Sequence, residues 1–243
     1  MTRTDAMRAP ASGLLLVIDT AFDACSVAVF DPLQGAMVAC ASEELGKGHA
    51  ERLPGMVDAV LADAGVAFGA ISKVGVTIGP GSFTGIRVGV SAARAYGLAL
   101  GVPAVGVVTL HAMAEAWRRD RPILAVHDAK RGEVYAMLLS ADGAAMVSPI
   151  ALSPDKLPEW TAEAGGPLDL VGSGAALALA ALGADRRGAG ASTILSDRSE
   201  IDMRTLARLS MAASADQPPK PLYLRSADAK PPTRRISLFE TAF

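Results

Sequence analysis

The sequence predicts an α/β protein built from two related halves with a cleft between them. Three observations carry that reading. Apolar strand-like runs alternate with segments of helical periodicity along the chain. The pattern restarts halfway: Leu14 to Ile18 ends at Asp19-Thr20 before a turn and a second strand, and Ile123 to Val126 ends at His127-Asp128 before the same sequel. The third is the stretch Gly79-Pro80-Gly81-Ser82-Phe83-Thr84-Gly85-Ile86-Arg87. It is a glycine turn between a β-branched run and a periodic apolar segment, the kind of place where open α/β folds gather ligands.

Taken in order, the strand Leu14 to Ile18 is followed by strands at Cys25 to Phe30 and Met37 to Ala41, a hairpin opening with Asp19 at its first turn. Leu53, Met56, Val57, Val60 and Leu61 form an i, i+3, i+4, i+7, i+8 stripe on a helix from about His49 to Ala64. Pro54 bends its first turns or marks its true start. Val74 to Ile78 is the strand before the glycine loop and Ile86 to Leu100 the helix after it. A strand at Ala104 to Val108 leads to Thr109, placed to cap a helix running to about Arg119. In the second half come Ile123 to Val126, Val134 to Leu139, a reversal at Asp142-Gly143, a short strand from Asp169, the turn Gly172-Ser173-Gly174 with an Ala/Leu helix, and a helix over about Asp202 to Ala213. Pro218, Pro219, Pro221, Pro231 and Pro232 exclude helix beyond it. The expected organisation is a loose N-terminal tail over 1–13, a first domain over 14–120, a second, smaller domain over 121–215, and a proline-rich tail over 216–243.

Bulk properties exclude several classes. At 243 residues, half of them hydrophobic, the chain is long enough for domains with real cores. A formal charge of −2 provides no basic field for binding nucleic acid alone. Arg94 and Pro103 interrupt the most apolar long stretch, Val88 to Leu110, and argue against a membrane span. Cys25 and Cys40, without a CxxC pairing, read as two reduced packing cysteines, and Met1 to Gly13 lacks an apolar run of signal-peptide length. The expectation is a soluble, cytoplasmic protein.

The glycine stretch has two readings. Strand, glycine turn and helix start aim free N–H groups and a positive helix end at one point, which suits phosphates or carboxylates. Glycines also close turns because positive φ is open to them. Neither common nucleotide fingerprint fits. No lysine lies between Gly79 and Leu100 for a Walker loop, and three residues, Ser82 to Thr84, separate two glycines where the dinucleotide pattern has two. Pro80 and Thr84 stand where a serine-nucleophile elbow needs glycine. Asp19 and Asp128 each end an apolar strand. They could hold a magnesium–phosphate complex or cap a turn, and Asp128 beside Lys130 and Arg131 leans to the second. The three histidines, His49, His111 and His127, show no metal-binding spacing. The stripe on the His49 to Ala64 helix reads either as a core face or as half of a subunit surface.

Together, Ile18-Asp19-Thr20, Ala24-Cys25-Ser26-Val27-Ala28, the glycine stretch, Asp128-Ala129 with Arg131-Gly132-Glu133-Val134-Tyr135, Val171-Gly172-Ser173-Gly174 and Pro221-Leu222-Tyr223-Leu224-Arg225 closely resemble the bacterial TsaB (YeaZ) family. The resemblance covers about Leu14 to Arg225. It implies two related actin-like domains of the sugar kinase and chaperone ATPase type. It further implies a non-catalytic subunit in the transfer of a threonylcarbamoyl group from threonylcarbamoyl-AMP to N6 of adenosine 37 in tRNAs reading codons that start with A. The implied partners are a TsaD-type catalytic paralogue and a TsaE-type ATPase, with tRNA met only through the complex and a homodimer when the partner is absent.

The catalytic paralogue carries an HxxxH metal pair where this chain has Thr109 and Met113, so the resemblance implies no metal and no cofactor here. It also raises His49, Arg52, Leu53, Met56, Val57, Val60 and Leu61 as a candidate partner interface. Asp19, Thr20, Gly79, Gly81, Ser82, Thr84, Gly85 and Asp128 remain as a vestigial nucleotide or anion site. The competing expectation is an independent ATP-dependent phosphotransferase of the same superfamily.

Overall fold

The computed structural model describes residues 13–183 and 191–225. The first sheet has the strands β1 (Leu14–Asp19), β2 (Ala24–Asp31), β3 (Ala36–Glu44), β4 (Ile71–Thr77) and β5 (Ala104–Val107), ordered β3-β2-β1-β4-β5. The second has β6 (Ile123–Asp128), β7 (Val134–Leu139), β8 (Ala145–Leu152), β9 (Asp169–Val171) and β10 (Thr193–Ser196), ordered β10-β9-β6-β7-β8. Read from the other edge, the second order repeats the first. In each, three antiparallel strands are followed by two added in parallel. The architecture is therefore a duplicated α/β fold of two related sheets, the organisation that the alternating, restarting sequence pattern predicts.

The central strand β1 is buried on both faces, hence its unbroken apolar run. Leu14, Leu16 and Ile18 point to one core, and Leu15 and Val17 to the other. The helices α1 (His49–Asp63) and α2 (Phe83–Leu100) cover the first of these faces. The short helix α3 (Thr109–Glu115) ends one turn earlier than expected. It follows β5 in sequence, yet Leu110, Met113 and Ala114 pack with Ile123, Ala125 and Met137 of the second sheet. Conversely, α6 (Met203–Ala212) follows β10 and returns to the first sheet, where Met203, Leu206 and Ala207 meet Leu15, Val17 and Phe30. The range 121–215 expected for the second domain thus contains a helix packed on the first. Between these, α4 (Leu157–Trp160) and α5 (Ala175–Leu182) cover the second sheet.

Lys73 Nζ donates to the Met211 and Ala213 carbonyls at 3.1 and 3.2 Å, a cation seated on the open carbonyl end of α6. Cys25 is buried, and burial pushes its thiol up to about 11. Cys40 is exposed on the edge strand β3, so only one of the two cysteines packs. The tail expectations at 1–12 and 226–243, including Pro231 and Pro232, lie outside the described residues. Within 216–225 the chain is docked, with Pro219 buried.

Candidate functional site

The glycine loop joins β4 to α2, and three of its backbone donors are turned inward. The Gly79 N–H donates to Thr109 Oγ1 at 2.9 Å, and the Thr109 N–H donates back to the Gly79 carbonyl at 2.8 Å. The Ser82 N–H donates to the Ala21 carbonyl at 2.7 Å. Ser82 Oγ caps α2 by accepting the Gly85 N–H at 3.2 Å, while Thr20 Oγ1 donates to the Gly85 carbonyl at 2.8 Å. A phosphate cradle needs N–H groups free to face a ligand; here those of Gly79, Ser82 and Gly85 already have acceptors within the chain. The glycines serve close approach instead. A Cβ on Gly85 would fall 2.1 Å from the Thr20 carbonyl oxygen, and one on Gly89 2.4 Å from Thr20 Oγ1. Thr84 is exposed on the first turn of α2.

Thr109 is therefore not a helix cap. Val108 holds that position without a side-chain bond, and the Thr109 hydroxyl reaches back to the glycine loop. Met113, one turn on, is 1% exposed in the core beneath the second sheet. Neither residue lines the cleft between the domains. Among the described residues, no group of three or more His, Cys, Asp or Glu side chains stands where a metal ion could be shared.

Asp19 is likewise withdrawn. It is 3% exposed, and its Oδ1 accepts from Thr77 Oγ1 at 2.6 Å and from the Ala21 N–H at 3.1 Å. Burial raises its pKa, against the lowering effect of those bonds and of nearby His49. It braces the β1–β2 turn to β4. His49, the first residue of α1, places Nε2 3.1 Å from the Phe22 carbonyl and is buried.

The cleft is a cavity of about 460 Å³ lined from both domains, by Phe22, Gly81 and Ser82 on one side and His127, Asp128 and Tyr135 on the other. Of the anion-site candidates, only Gly81, Ser82 and Asp128 reach it. Asp128 is held below the usual carboxylate range by the Lys130 ammonium and N–H, 2.9 and 2.8 Å away. A group that sequence reasoning passed over also lines it. His127 Nδ1 lies 2.7 Å from Ser199 Oγ and 3.1 Å from Ser173 Oγ, and its ring stands 4.4 Å from that of Phe22 across the domains. Burial pushes its pKa down to about 4. The signal available was a histidine ending an apolar strand, but its serine partners lie 46 and 72 residues away.

The candidate interface stripe is the core face of α1. Leu53, Met56, Val57, Val60 and Leu61 are all buried in the chain's own first-sheet core. They cannot meet a partner without unfolding the helix from the sheet. Only Arg52 of that group is exposed, in a bidentate pair with Glu43 at 2.5 and 2.6 Å. The solvent side of α1 carries Gly55, Ala59 and Ala62, and that of α2 carries Ser91, Ala95 and Leu98.

The family described as TsaD, tRNA N6-adenosine threonylcarbamoyltransferase, matches residues 41–169. The chain is 39% identical over 124 residues to the tRNA threonylcarbamoyladenosine biosynthesis protein TsaB of Escherichia coli, covering 50% of this chain and 52% of that protein. It is also 37% identical over 186 residues to an uncharacterized protein of Mycobacterium tuberculosis, covering 76% and 79%. Among solved structures, YeaZ from Pseudomonas aeruginosa superposes with a TM-score of 0.69 at 27% identity, covering 87% of this chain and all of that one. The chain belongs to the TsaB (YeaZ) family. It spans about half the length of the curated TsaB relatives from Escherichia coli and Buchnera aphidicola that it matches, 52% and 59%. No helix among the described residues is long and apolar enough to cross a membrane.

Proposed function

We propose that this TsaB-family chain is the non-catalytic subunit of a complex making threonylcarbamoyladenosine in tRNA. In that reading a TsaD-type paralogue transfers the threonylcarbamoyl group from threonylcarbamoyl-AMP to N6 of adenosine 37, a TsaE-type ATPase supports turnover, and tRNA is engaged through the complex. The observation that supports it most is the Gly79–Thr109 pair. The resemblance puts one half of the catalytic paralogue's metal pair at Thr109, and here that side chain is committed to a backbone N–H. Asp19, bonded to Thr77 and Ala21, weighs in the same direction against an independent phosphotransferase.

The partner surface in this proposal is the outer side of α1 and α2, not the stripe between α1 and the sheet. Small side chains at Gly55, Ala59, Ala62, Ser91 and Ala95 let another helix approach closely, and Leu98, 85% exposed, offers an apolar anchor. The same surface would pair two copies when the paralogue is absent. The test is reconstitution of tRNA modification from the paralogue, the ATPase, threonylcarbamoyl-AMP and unmodified tRNA, with and without this chain. Modification that depends on the chain supports the proposal; full modification without it overturns it.

A further inference from the structure

Beyond α6, the polypeptide crosses from the glycine loop of the first domain to the β6–β7 hairpin of the second and bonds to both. Pro219 is buried and lies 3.3 Å from where a Cβ on Gly106 would stand, close to Ile78. The Leu222 N–H donates to the Ile78 carbonyl at 2.7 Å, extending the hydrogen bonding of the β4 exit. Its own carbonyl oxygen lies 2.7 Å from the place of a Gly79 Cβ, an approach that a larger residue at 79 would block. Tyr223 Oη accepts from Arg87 Nε at 2.7 Å, and its ring stands 5.3 Å from that of Phe83. Those contacts all lie on the first domain, at β5, the glycine loop and the first turns of α2.

Two residues later the partners change domain. Arg225 donates from Nη1 to the Ala129 carbonyl at 2.9 Å and from Nη2 to the Lys130 carbonyl at 3.2 Å. It also pairs with the Glu133 carboxylate and lies over the Tyr135 ring, 5.4 Å from its centre. One planar guanidinium thus grips the β6–β7 hairpin at several points, a geometry that a lysine could not reproduce. The hairpin it grips is an unusual one: Lys130 and Arg131 both stand in the left-handed region, at φ 62° and 58°, and neither is a glycine. Such a turn persists only where surrounding contacts hold it. From Leu222 to Arg225 the chain spans at most about 10 Å, so it ties the glycine loop to the hairpin at a short fixed distance.

We propose that residues 218–225 form a clasp that sets the opening of the cleft by coupling the glycine loop of the first domain to the Lys130-Arg131-Gly132 hairpin of the second. Both walls it touches are cleft walls: the loop continues into Gly81 and Ser82, and Lys130 and Tyr135 line the cavity directly. The inference does not depend on the role assigned to the chain, because the clasp acts within one molecule.

The test is amide hydrogen exchange with small-angle scattering on the full chain, comparing the parent protein with Arg225→Gln and, separately, Arg87→Gln. Coupling predicts that each change is felt on the far side. Arg225→Gln speeds exchange roughly tenfold over 79–87 as well as over 129–134, and Arg87→Gln does the same over 129–134. The radius of gyration rises in both, while β1 and β6 keep their protection and so report an intact fold. Arg225→Lys, which keeps the charge but loses the fork, serves if the glutamine variant does not fold, and is expected to show the same far-side loss. Exchange that rises only beside the substituted residue, with no change in scattering, overturns the proposal.

Discussion

Gly79 and Thr109 hold each other by two hydrogen bonds, one in each direction, between the end of β4 and the start of α3. Both residues are buried, so neither bond is replaced by water when broken. Thr109→Val keeps the shape and removes the acceptor, leaving the Gly79 N–H unsatisfied. The expected cost is about 1–3 kcal/mol in urea unfolding. Thr109→Ser, which restores the oxygen, is expected to recover most of it. A valine variant as stable as the parent would mean that the loop is held by other contacts.

The seat of α2 on the β1–β2 turn leads to a second expectation. Gly85→Ala places a methyl group 2.1 Å from the Thr20 carbonyl oxygen, and the listener on the other side is backbone, which cannot swing away. Alanine favours helix over glycine by only about 1 kcal/mol. The clash therefore prevails, and a net loss of roughly 1–3 kcal/mol is expected, read as a lower unfolding midpoint. Gly101→Ala, where nothing lies within 4 Å, isolates the backbone effect because Gly101 sits at φ 66°.

The parts of this fold that were legible are those where local pattern and tertiary role coincide. An uninterrupted apolar run marked β1, and the i, i+3, i+4 stripe marked α1, because burial on two faces and on one face leave different periods. The edge strand β8 was hidden by Ser148-Pro149, which sits at a register shift against β7 where a proline is tolerated. Periodicity could not say which sheet α3 and α6 would cover, since an apolar face does not name its neighbour. For the same reason the Leu53 to Leu61 stripe could be taken for a partner surface. The site was harder still. Thr109 meets Gly79 across 30 residues and His127 meets Ser199 across 72, and no spacing rule spans such distances.

His127 supplies a pH dependence with a definite sign. Its folded pKa, about 4, lies below the ordinary 6.5, so folding disfavours the imidazolium. Stability from this residue is full above pH 6.5 and is lost as pH falls from 6.5 toward 4, by roughly 3 kcal/mol in all. His127→Gln has no such proton to gain. Unfolding free energies measured by urea at pH 7.5 and pH 4.5 are expected to differ less for the variant than for the parent. Asp19, whose raised pKa acts in the opposite sense, is common to both proteins and drops out of the comparison. Equal pH slopes in the two would show that His127 is not shielded in the cleft.

Charge placed on the two sides of α1 separates folding from pairing. Val57 is 2% exposed against the first sheet, so Val57→Asp buries an unpaired carboxylate and is expected to unfold the chain or destabilise it by several kcal/mol. Loss of co-purification with the paralogue in that variant would report only the loss of structure. Ala59, two residues on, is exposed on the opposite side of the helix. Ala59→Glu is expected to change stability by no more than about 0.5 kcal/mol. If the outer side of α1 and α2 receives the paralogue, the added carboxylate must be desolvated in the interface, and co-purification is expected to fall at least tenfold. Leu98→Asp on α2 makes the same demand from the neighbouring helix, with an apolar anchor removed as well. Unaltered pairing in both folded variants would move the partner surface off these helices, while leaving Val57 where the packing puts it.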